Sequence, residues 1–210
     1  MHIYRAEPKG TPRGAIVVIQ EIFGVNAHIR DVADGFAADG YVAVAPALFD
    51  RIRPGIELGY TPDTVREGRE LRSKLAIDDV LADVQTAIDS VKSAGKIGIV
   101  GYCWGGYVTW MAAARCSGLA CAVDYYGTQT LDAMDEHPRC PVMLHFGSKD
   151  ATTPADKIEA LRGKHEPHGA QFFVYDADHG FNCDERGSYD AAATKLARER
   201  TLAFFREHVG

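Results

Sequence analysis

Basic clusters, long apolar runs and repeats are all scarce in this chain of 210 residues. No block of Lys or Arg stands out and the net charge is −6, which excludes nucleic acid as a partner. No apolar run could span a bilayer, and residues 1–7 lack the pattern of a secretory signal, so we expect a cytoplasmic protein with no membrane partner. Without repeats or linkers, the 46% apolar content predicts one domain over residues 1–210.

Cysteine is also scarce. The five cysteines are an odd number and lack the density of a disulfide scaffold. Cys116 and Cys121 have no second pair that would complete a zinc pattern. His165 and His168 resemble a metal pair superficially, but the proline between them disrupts helical presentation of both rings. We therefore predict no metal site and no cofactor, and we interpret most of the thiols as packing residues.

Short apolar runs alternate with helical patterns along the chain. The predicted strands are residues 15–19, 41–45, 97–100, 120–125, 142–146 and 171–175. The predicted helices are residues 26–39, 77–94, 107–114, 155–164 and 188–208. This alternation predicts an α/β protein whose doubly wound, mostly parallel sheet carries helices on both faces.

Residues 49–75 interrupt that alternation. Prolines, glycines and charged residues are frequent here, and they predict a long excursion over the carboxyl edge of the sheet. Loops of such length in compact domains are often functional.

The most informative segment is residues 101–106, Gly-Tyr-Cys-Trp-Gly-Gly, between a predicted strand and a predicted helix. A strand, a Gly-x-nucleophile-x-Gly turn and a helix form the nucleophile elbow of the α/β-hydrolase fold. Gly101 and Gly105 would permit the tight turn because they lack a Cβ. Cys103 occupies the apex, where the amino end of a helix favours a thiolate. The pattern predicts acyl transfer through sulfur.

The same fold places an acid and a histidine after the nucleophile in chain order. Asp150 and His179 each follow a predicted strand, where open α/β sheets bind ligands. His179 would act as general base and then general acid, and Asp150 would fix its tautomer. Asp124 is an alternative acid. His145 lies within a predicted strand and is interpreted as a core residue.

Asp176 and Asp178 precede His179, and the alternative for both is that they only shape its turn.

Four segments together resemble the dienelactone hydrolase (carboxymethylenebutenolidase) family over residues 14–206. They are residues 19–26 (Ile-Gln-Glu-Ile-Phe-Gly-Val-Asn), 101–106, 124–127 (Asp-Tyr-Tyr-Gly) and 178–181 (Asp-His-Gly-Phe).

The resemblance implies a Cys-His-Asp triad at Cys103, His179 and Asp150. It also implies that Glu21 interacts with the resting thiol and takes its proton when substrate binds. The oxyanion hole would consist of the backbone N–H groups of Ile22 and Trp104.

Family members that open dienelactones bind the substrate carboxylate with two arginines. One of these matches Arg51. The position of the other holds Cys183, four residues after the histidine, and Arg186 is the candidate substitute. Gly180 also replaces the serine expected after the histidine. Aromatic residues near strand ends are candidates for the pocket wall: Phe23, Tyr60, Trp104, Tyr125 and Tyr126.

We therefore predict a monomeric hydrolase, free of cofactor and metal, that acts on a small-molecule lactone or ester through an acyl-thioester. The substrate that the resemblance implies is dienelactone, opened to maleylacetate in the catabolism of chloroaromatic hydrocarbons. One alternative is a broader carboxylesterase or thioesterase with the same triad. The other is a thiol protein with a redox or binding role and no hydrolytic activity.

Overall fold

Seven strands form one mixed sheet in the computed structural model, which describes residues 1–210. The spatial order is β1-β3-β2-β4-β5-β6-β7, and only β1 is antiparallel to its neighbour. Because the chain leaves β2 for β3 and then returns to add β4 on the other side, the carboxyl ends of β2 and β4 flank the switch point where such sheets bind ligands. The strands are β1 (Ile3–Ala6), β2 (Ala15–Ile19), β3 (Val42–Pro46), β4 (Ile97–Tyr102), β5 (Leu119–Tyr125), β6 (Val142–Gly147) and β7 (Gln171–Tyr175).

Six α-helices cover the two faces of the sheet, as expected for an α/β fold. They are α1 (Ala27–Ala38), α2 (Pro62–Ser73), α3 (Ile77–Ser90), α4 (Trp104–Arg115), α5 (Ala155–His165) and α6 (Ala191–His208). Alternate residues of β2 enter opposite cores: Val17 joins one with α2, α3, α4 and α5, and Val18 joins the other with α1 and α6. None of the helices combines the length and the apolar character needed to cross a membrane.

Most element boundaries follow the predicted ones closely, and β2 and β7 match them in full. The largest differences have local causes. Helix α4 starts at Trp104 rather than residue 107 because the elbow itself is its N-terminus. Helix α6 starts at Ala191 rather than residue 188 because the Asp190 carboxylate caps it by accepting from the Ala193 N–H at 2.8 Å. Helix α3 ends at Ser90, and residues 92–94 form a separate 3₁₀ turn.

Residues 49–75 are not the continuous loop that was expected, because α2 lies within them. Thr61 and Thr64 cap the start of α2 reciprocally, and Pro62 occupies its first position. Strand β1 was not predicted at all. It is only four residues long and pairs at the sheet edge, so its alternation of apolar and polar residues is too short to indicate a strand.

Candidate active site

The turn after β4 has the backbone of a nucleophile elbow. Cys103 precedes α4 with φ 57° and ψ −118°, a left-handed conformation that L-residues rarely adopt. A Cβ on Gly101 would collide with the carbonyl oxygen of Gly105, and one on Gly105 would lie 2.5 Å from the carbonyl oxygens of Ile19 and Gln20. Both glycines are therefore required by close backbone approach, and they hold Cys103 at the apex of the turn.

The structure brings the three residues of the predicted triad into one hydrogen-bonded series. His179 Nε2 lies 3.2 Å from Cys103 Sγ, and His179 Nδ1 lies 2.7 Å from Asp150 Oδ2. The other oxygen of Asp150 accepts from the backbone N–H of Thr152 at 2.8 Å and from its hydroxyl at 2.5 Å. The imidazole is thus held between the sulfur and a buried carboxylate, which is the arrangement that nucleophilic catalysis requires.

Electrostatics favour a protonated imidazole in this series. Burial lowers the pKa of His179, but a negative charge on the adjacent Cys103 sulfur and the Asp150 carboxylate outweigh it and raise the pKa to about 10. Burial acts in the opposite direction on Asp150, where hydrogen bonds from His179 and Thr152 prevail and lower the pKa of the carboxyl. His179 can therefore carry a proton between two groups that stabilise its positive charge.

The other aspartates considered from the sequence have different partners. Asp124 is buried, and its carboxylate accepts from the Gly127 N–H at 2.9 Å and from the Thr130 hydroxyl at 2.6 Å, while burial raises its pKa to about 7. Asp178 accepts from the backbone N–H of His179 at 2.7 Å and so shapes that turn. Asp176 is exposed and pairs with Lys149.

The other histidines considered from the sequence have structural partners. His145 is fully buried between the hydroxyls of Tyr175, at 2.8 Å, and Thr201, at 3.1 Å, and burial lowers its pKa to about 3. Its interpretation as a core residue is confirmed. His165 Nε2 lies 2.8 Å from the Met134 carbonyl oxygen.

The loop after β2 lies against the elbow. Ile22 and Trp104, whose N–H groups were predicted to form the oxyanion hole, both line the cavity that contains Cys103. Trp104 is the first residue of α4, so its N–H has no acceptor within the helix. The Gln20 side chain fixes the loop, because it donates to the Glu21 carbonyl at 3.2 Å and accepts from the Leu48 N–H at 3.1 Å.

Glu21 is placed near the site but does not hydrogen-bond Cys103, contrary to the expectation for a resting thiol. Its buried carboxylate accepts through Oε1 from Arg186 at 3.1 Å, and Oε2 has no hydrogen-bond partner. Arg186 in turn reaches the cavity wall. The candidate substitute for the second arginine therefore does point inward, and it carries Glu21 as its counter-ion.

A cavity of about 180 Å³ opens over the sulfur. Arg69 and Arg72 of α2 lie in its wall, and neither side chain takes part in an ion pair or hydrogen bond. These two residues were missed because their segment was interpreted as a loop. The capping signal at Thr61-Pro62 would have indicated the helix, although not its position over the site. The cavity is lined by Ile22, Phe23, Val65, Arg69, Arg72, Cys103, Trp104, Thr128, Gln129, Thr152, His179 and Arg186.

Of the residues predicted to bind substrate or to wall the pocket, Phe23 and Trp104 line this cavity. Four others lie outside it: Arg51, Tyr60, Tyr125 and Tyr126. Arg51 instead donates to Asp83 through Nε at 2.5 Å and Nη2 at 3.0 Å, because α3 presents that carboxylate. Tyr60 packs behind Phe23, with ring centroids 4.6 Å apart. Tyr125 is buried in the core, where its hydroxyl lies 2.7 Å from that of Thr201.

Comparison with known proteins adds a family relationship. A sequence model described as the dienelactone hydrolase family matches residues 1–209. A Pseudomonas putida carboxymethylenebutenolidase is 32% identical over 209 residues, which cover 94% of this chain and 87% of that protein. A Synechocystis protein provisionally named a carboxymethylenebutenolidase is 32% identical over 220 residues, or 96% and 89% of the two chains. The crystal structure of a Klebsiella pneumoniae protein, provisionally assigned as a dienelactone hydrolase, superposes with a TM-score of 0.86 at 35% identity, covering 97% of this chain and 91% of the other.

Proposed function

Since this chain belongs to the dienelactone hydrolase family of ester hydrolases, we propose that it opens a small lactone that carries a carboxylate. Dienelactone, which would give maleylacetate in the catabolism of aromatic hydrocarbons, is the substrate proposed. The observation that carries this proposal is the series Cys103–His179–Asp150 at the floor of a cavity that Arg69 and Arg72 also line.

In this proposal the cavity arginines recognise the substrate carboxylate. A guanidinium binds a carboxylate through two parallel hydrogen bonds, and Arg69 and Arg72 have no acidic partner that would compete. Arg51 is not assigned this role, because Asp83 and Asp79 already occupy its guanidinium. The apolar part of a small lactone would pack against Phe23 and the other apolar side chains of the wall.

The pair between Glu21 and Arg186 provides a means of activating the thiol only when substrate is present. Arg186 lines the cavity, so an incoming carboxylate can draw its guanidinium away from Glu21. The released carboxylate is buried and would then accept the proton of Cys103. A nucleophile that forms only with bound substrate is protected from oxidation between turnovers.

Acylation and deacylation then follow the roles that the geometry allows. Cys103 Sγ attacks the lactone carbonyl, and the N–H groups of Ile22 and Trp104 bind the oxyanion. His179 donates a proton to the ring oxygen as the C–O bond breaks and an acyl-thioester forms. Water, deprotonated by His179, attacks the thioester, and the sulfur leaves as a thiolate with release of the acid. Glu21 then returns its proton to Cys103, which restores the resting thiol. We propose the cytoplasm as the location, since its reducing conditions preserve a nucleophilic thiol.

Parallel kinetics with dienelactone and the neutral ester 4-nitrophenyl acetate test this proposal. Cys103→Ala should lower kcat for both esters by a factor on the order of 10⁶. Arg72→Ala should raise KM for dienelactone about 10- to 100-fold, because it removes a charged hydrogen bond, and should change KM for the neutral ester little. Arg51→Ala is the matched control and should leave both KM values unchanged.

Two outcomes would redirect the assignment. If Arg72→Ala changes KM for both esters equally, carboxylate recognition by α2 is wrong, and the broader carboxylesterase or thioesterase becomes the better description. If neither ester turns over while peroxide oxidises Cys103 rapidly, the thiol has a redox or binding role instead.

A further inference from the structure

Three potential metal ligands meet at the loop that follows β2. One ligand atom each from Glu21, His28 and Cys183 lies within 4.8 Å of the other two, and all three residues are buried. None of His28, Cys183 and the Glu21 carboxylate lines the substrate cavity. The mechanism proposed above uses Glu21 but neither of the other two residues.

Two polar atoms in this group have no partner. Glu21 Oε2 and His28 Nε2 are buried without a hydrogen bond, although such atoms are costly to leave unsatisfied. The other atom of each side chain is engaged, since Glu21 Oε1 accepts from Arg186 at 3.1 Å and His28 Nδ1 lies 3.5 Å from Asp184 Oδ1. The unpartnered atoms are therefore the ones available to a ligand.

We propose that Glu21, His28 and Cys183 form a binding site for a divalent, borderline-soft cation such as Zn²⁺. Sulfur, imidazole and carboxylate form a typical zinc ligand set, whereas Mg²⁺ and Ca²⁺ prefer oxygen alone. Tetrahedral zinc holds its ligand atoms about 3.5 Å apart, so these side chains need to converge by about 1 Å. Water completes the coordination, and the proton of the Cys183 thiol is released to solvent on binding.

The surroundings of the three ligands suit a metal ion. Asp184 can accept from His28 Nδ1, and a carboxylate behind a ligating histidine commonly fixes its tautomer and raises its basicity. His28 and Asp184 also line a surface cavity of about 300 Å³ that shares no residue with the substrate cavity. This cavity gives a cation a route to His28 that does not pass the nucleophile.

Occupancy would hold the Glu21 carboxylate on the metal. If Glu21 activates Cys103 as proposed above, zinc bound here inhibits hydrolysis, because the carboxylate on the metal cannot accept the proton of the thiol. This consequence rests on the proposed function, whereas the site itself does not.

Titration with Co²⁺ under anaerobic, reducing conditions tests the site through the thiolate-to-cobalt charge-transfer band. The band should appear with one equivalent of Co²⁺ in the wild type, and Zn²⁺ should abolish it by competition. Cys183→Ser should remove the band, and His28→Gln should weaken Co²⁺ affinity at least about tenfold. Cys116→Ser, which changes a half-buried thiol outside the cluster, is the matched control and should keep the band.

Cys103→Ser distinguishes the two thiols. The band should persist in this variant if the cation binds at Cys183. Absence of a band in the wild type, or a band that survives Cys183→Ser but disappears in Cys103→Ser, would overturn the proposal. Thermal melting confirms that each variant is folded, and His28→Gln gives an independent test should Cys183→Ser unfold. Inhibition of ester hydrolysis by Zn²⁺ in the wild type but not in Cys183→Ser tests the consequence separately.

Discussion

Asp150 acts in the site through both of its carboxylate oxygens. One accepts from His179 at 2.7 Å, and the other is fixed by the backbone and hydroxyl of Thr152. Asp150→Asn should lower kcat by a factor on the order of 10⁴, because an amide favours the wrong tautomer of the imidazole. The rate of acylation by 4-nitrophenyl acetate, measured in single turnovers, checks this expectation.

Thr152→Val provides the control at the same place. It removes one hydrogen bond to Asp150 but keeps the backbone N–H, so the rate should fall only about tenfold. Equal rates for Asp150→Asn and Thr152→Val would show that Asp150 does not orient His179.

The raised pKa of His179 predicts how stability changes with pH. The folded protein holds this proton up to a pKa of about 10, whereas an unfolded histidine loses it near pH 6.5. The folded state therefore binds more protons between these values, and the contribution to stability is complete below pH 6.5 and lost as pH rises through about 10. Urea unfolding across this range should show a falling free energy of unfolding.

Cys103→Ala isolates the cause of that dependence. The sulfur is the largest of the effects that raise the pKa of His179, so its removal should lower the pKa and narrow the window in which stability falls. An unchanged pH profile in this variant would contradict the coupling between the two side chains.

Helix α2 contacts the loop that follows β2 through Gly68. A Cβ at this position would collide with the carbonyl oxygen of Ile22. Alanine is usually about 1 kcal/mol better than glycine inside a helix, but here Gly68→Ala should destabilise the protein by about 1–3 kcal/mol. It should also lower kcat if the backbone N–H of Ile22 binds the oxyanion as proposed, since displacement of Ile22 would move that donor. Denaturant unfolding and ester kinetics measure the two effects.

Gly163→Ala in α5 is the matched control. Apart from the adjoining residues and backbone of its own helix, no atom lies within 4 Å of the added Cβ, so the substitution should stabilise the protein by up to about 1 kcal/mol. A gain in stability from both substitutions would mean that α2 does not pack on the loop as described.

The elements differ in how far the sequence predicts them. Strands β2 and β7 are short apolar segments with clear boundaries, and both were predicted in full. Helix α2 was not, because only Gly68 and Leu71 are buried on a surface that is otherwise charged and polar. Its apolar stripe is too narrow to give a helical pattern, and its cap signal was outweighed by the prolines and glycines around it.

The candidate site also combines residues whose positions can be predicted from the sequence with residues whose positions cannot. Cys103, Asp150 and His179 follow strands β4, β6 and β7, and parallel strands bring their carboxyl ends to one edge. Their proximity could therefore be predicted from chain order. The presence of Arg69 and Arg72 over the cavity depends on how α2 docks, which no local pattern encodes.

We propose that the protein acts as a monomer. The large apolar side chains with more than two-fifths of their surface exposed are Met1, Val174, Tyr189 and Leu196. A net charge of −6 disfavours self-association. Sedimentation velocity over a hundredfold range of concentration should therefore give one species with a constant coefficient.

If the protein does form a dimer, strand β7 is the element most able to mediate it. It forms one edge of the sheet and carries Val174, and unpaired edge strands can pair with a second copy. Val174→Lys should leave sedimentation unchanged if the protein is a monomer. A dimer that forms with rising concentration and dissociates in Val174→Lys would instead identify β7 as an interface. Because β7 leads directly into the turn that holds His179, such a dimer should also alter the KM for esters as it forms.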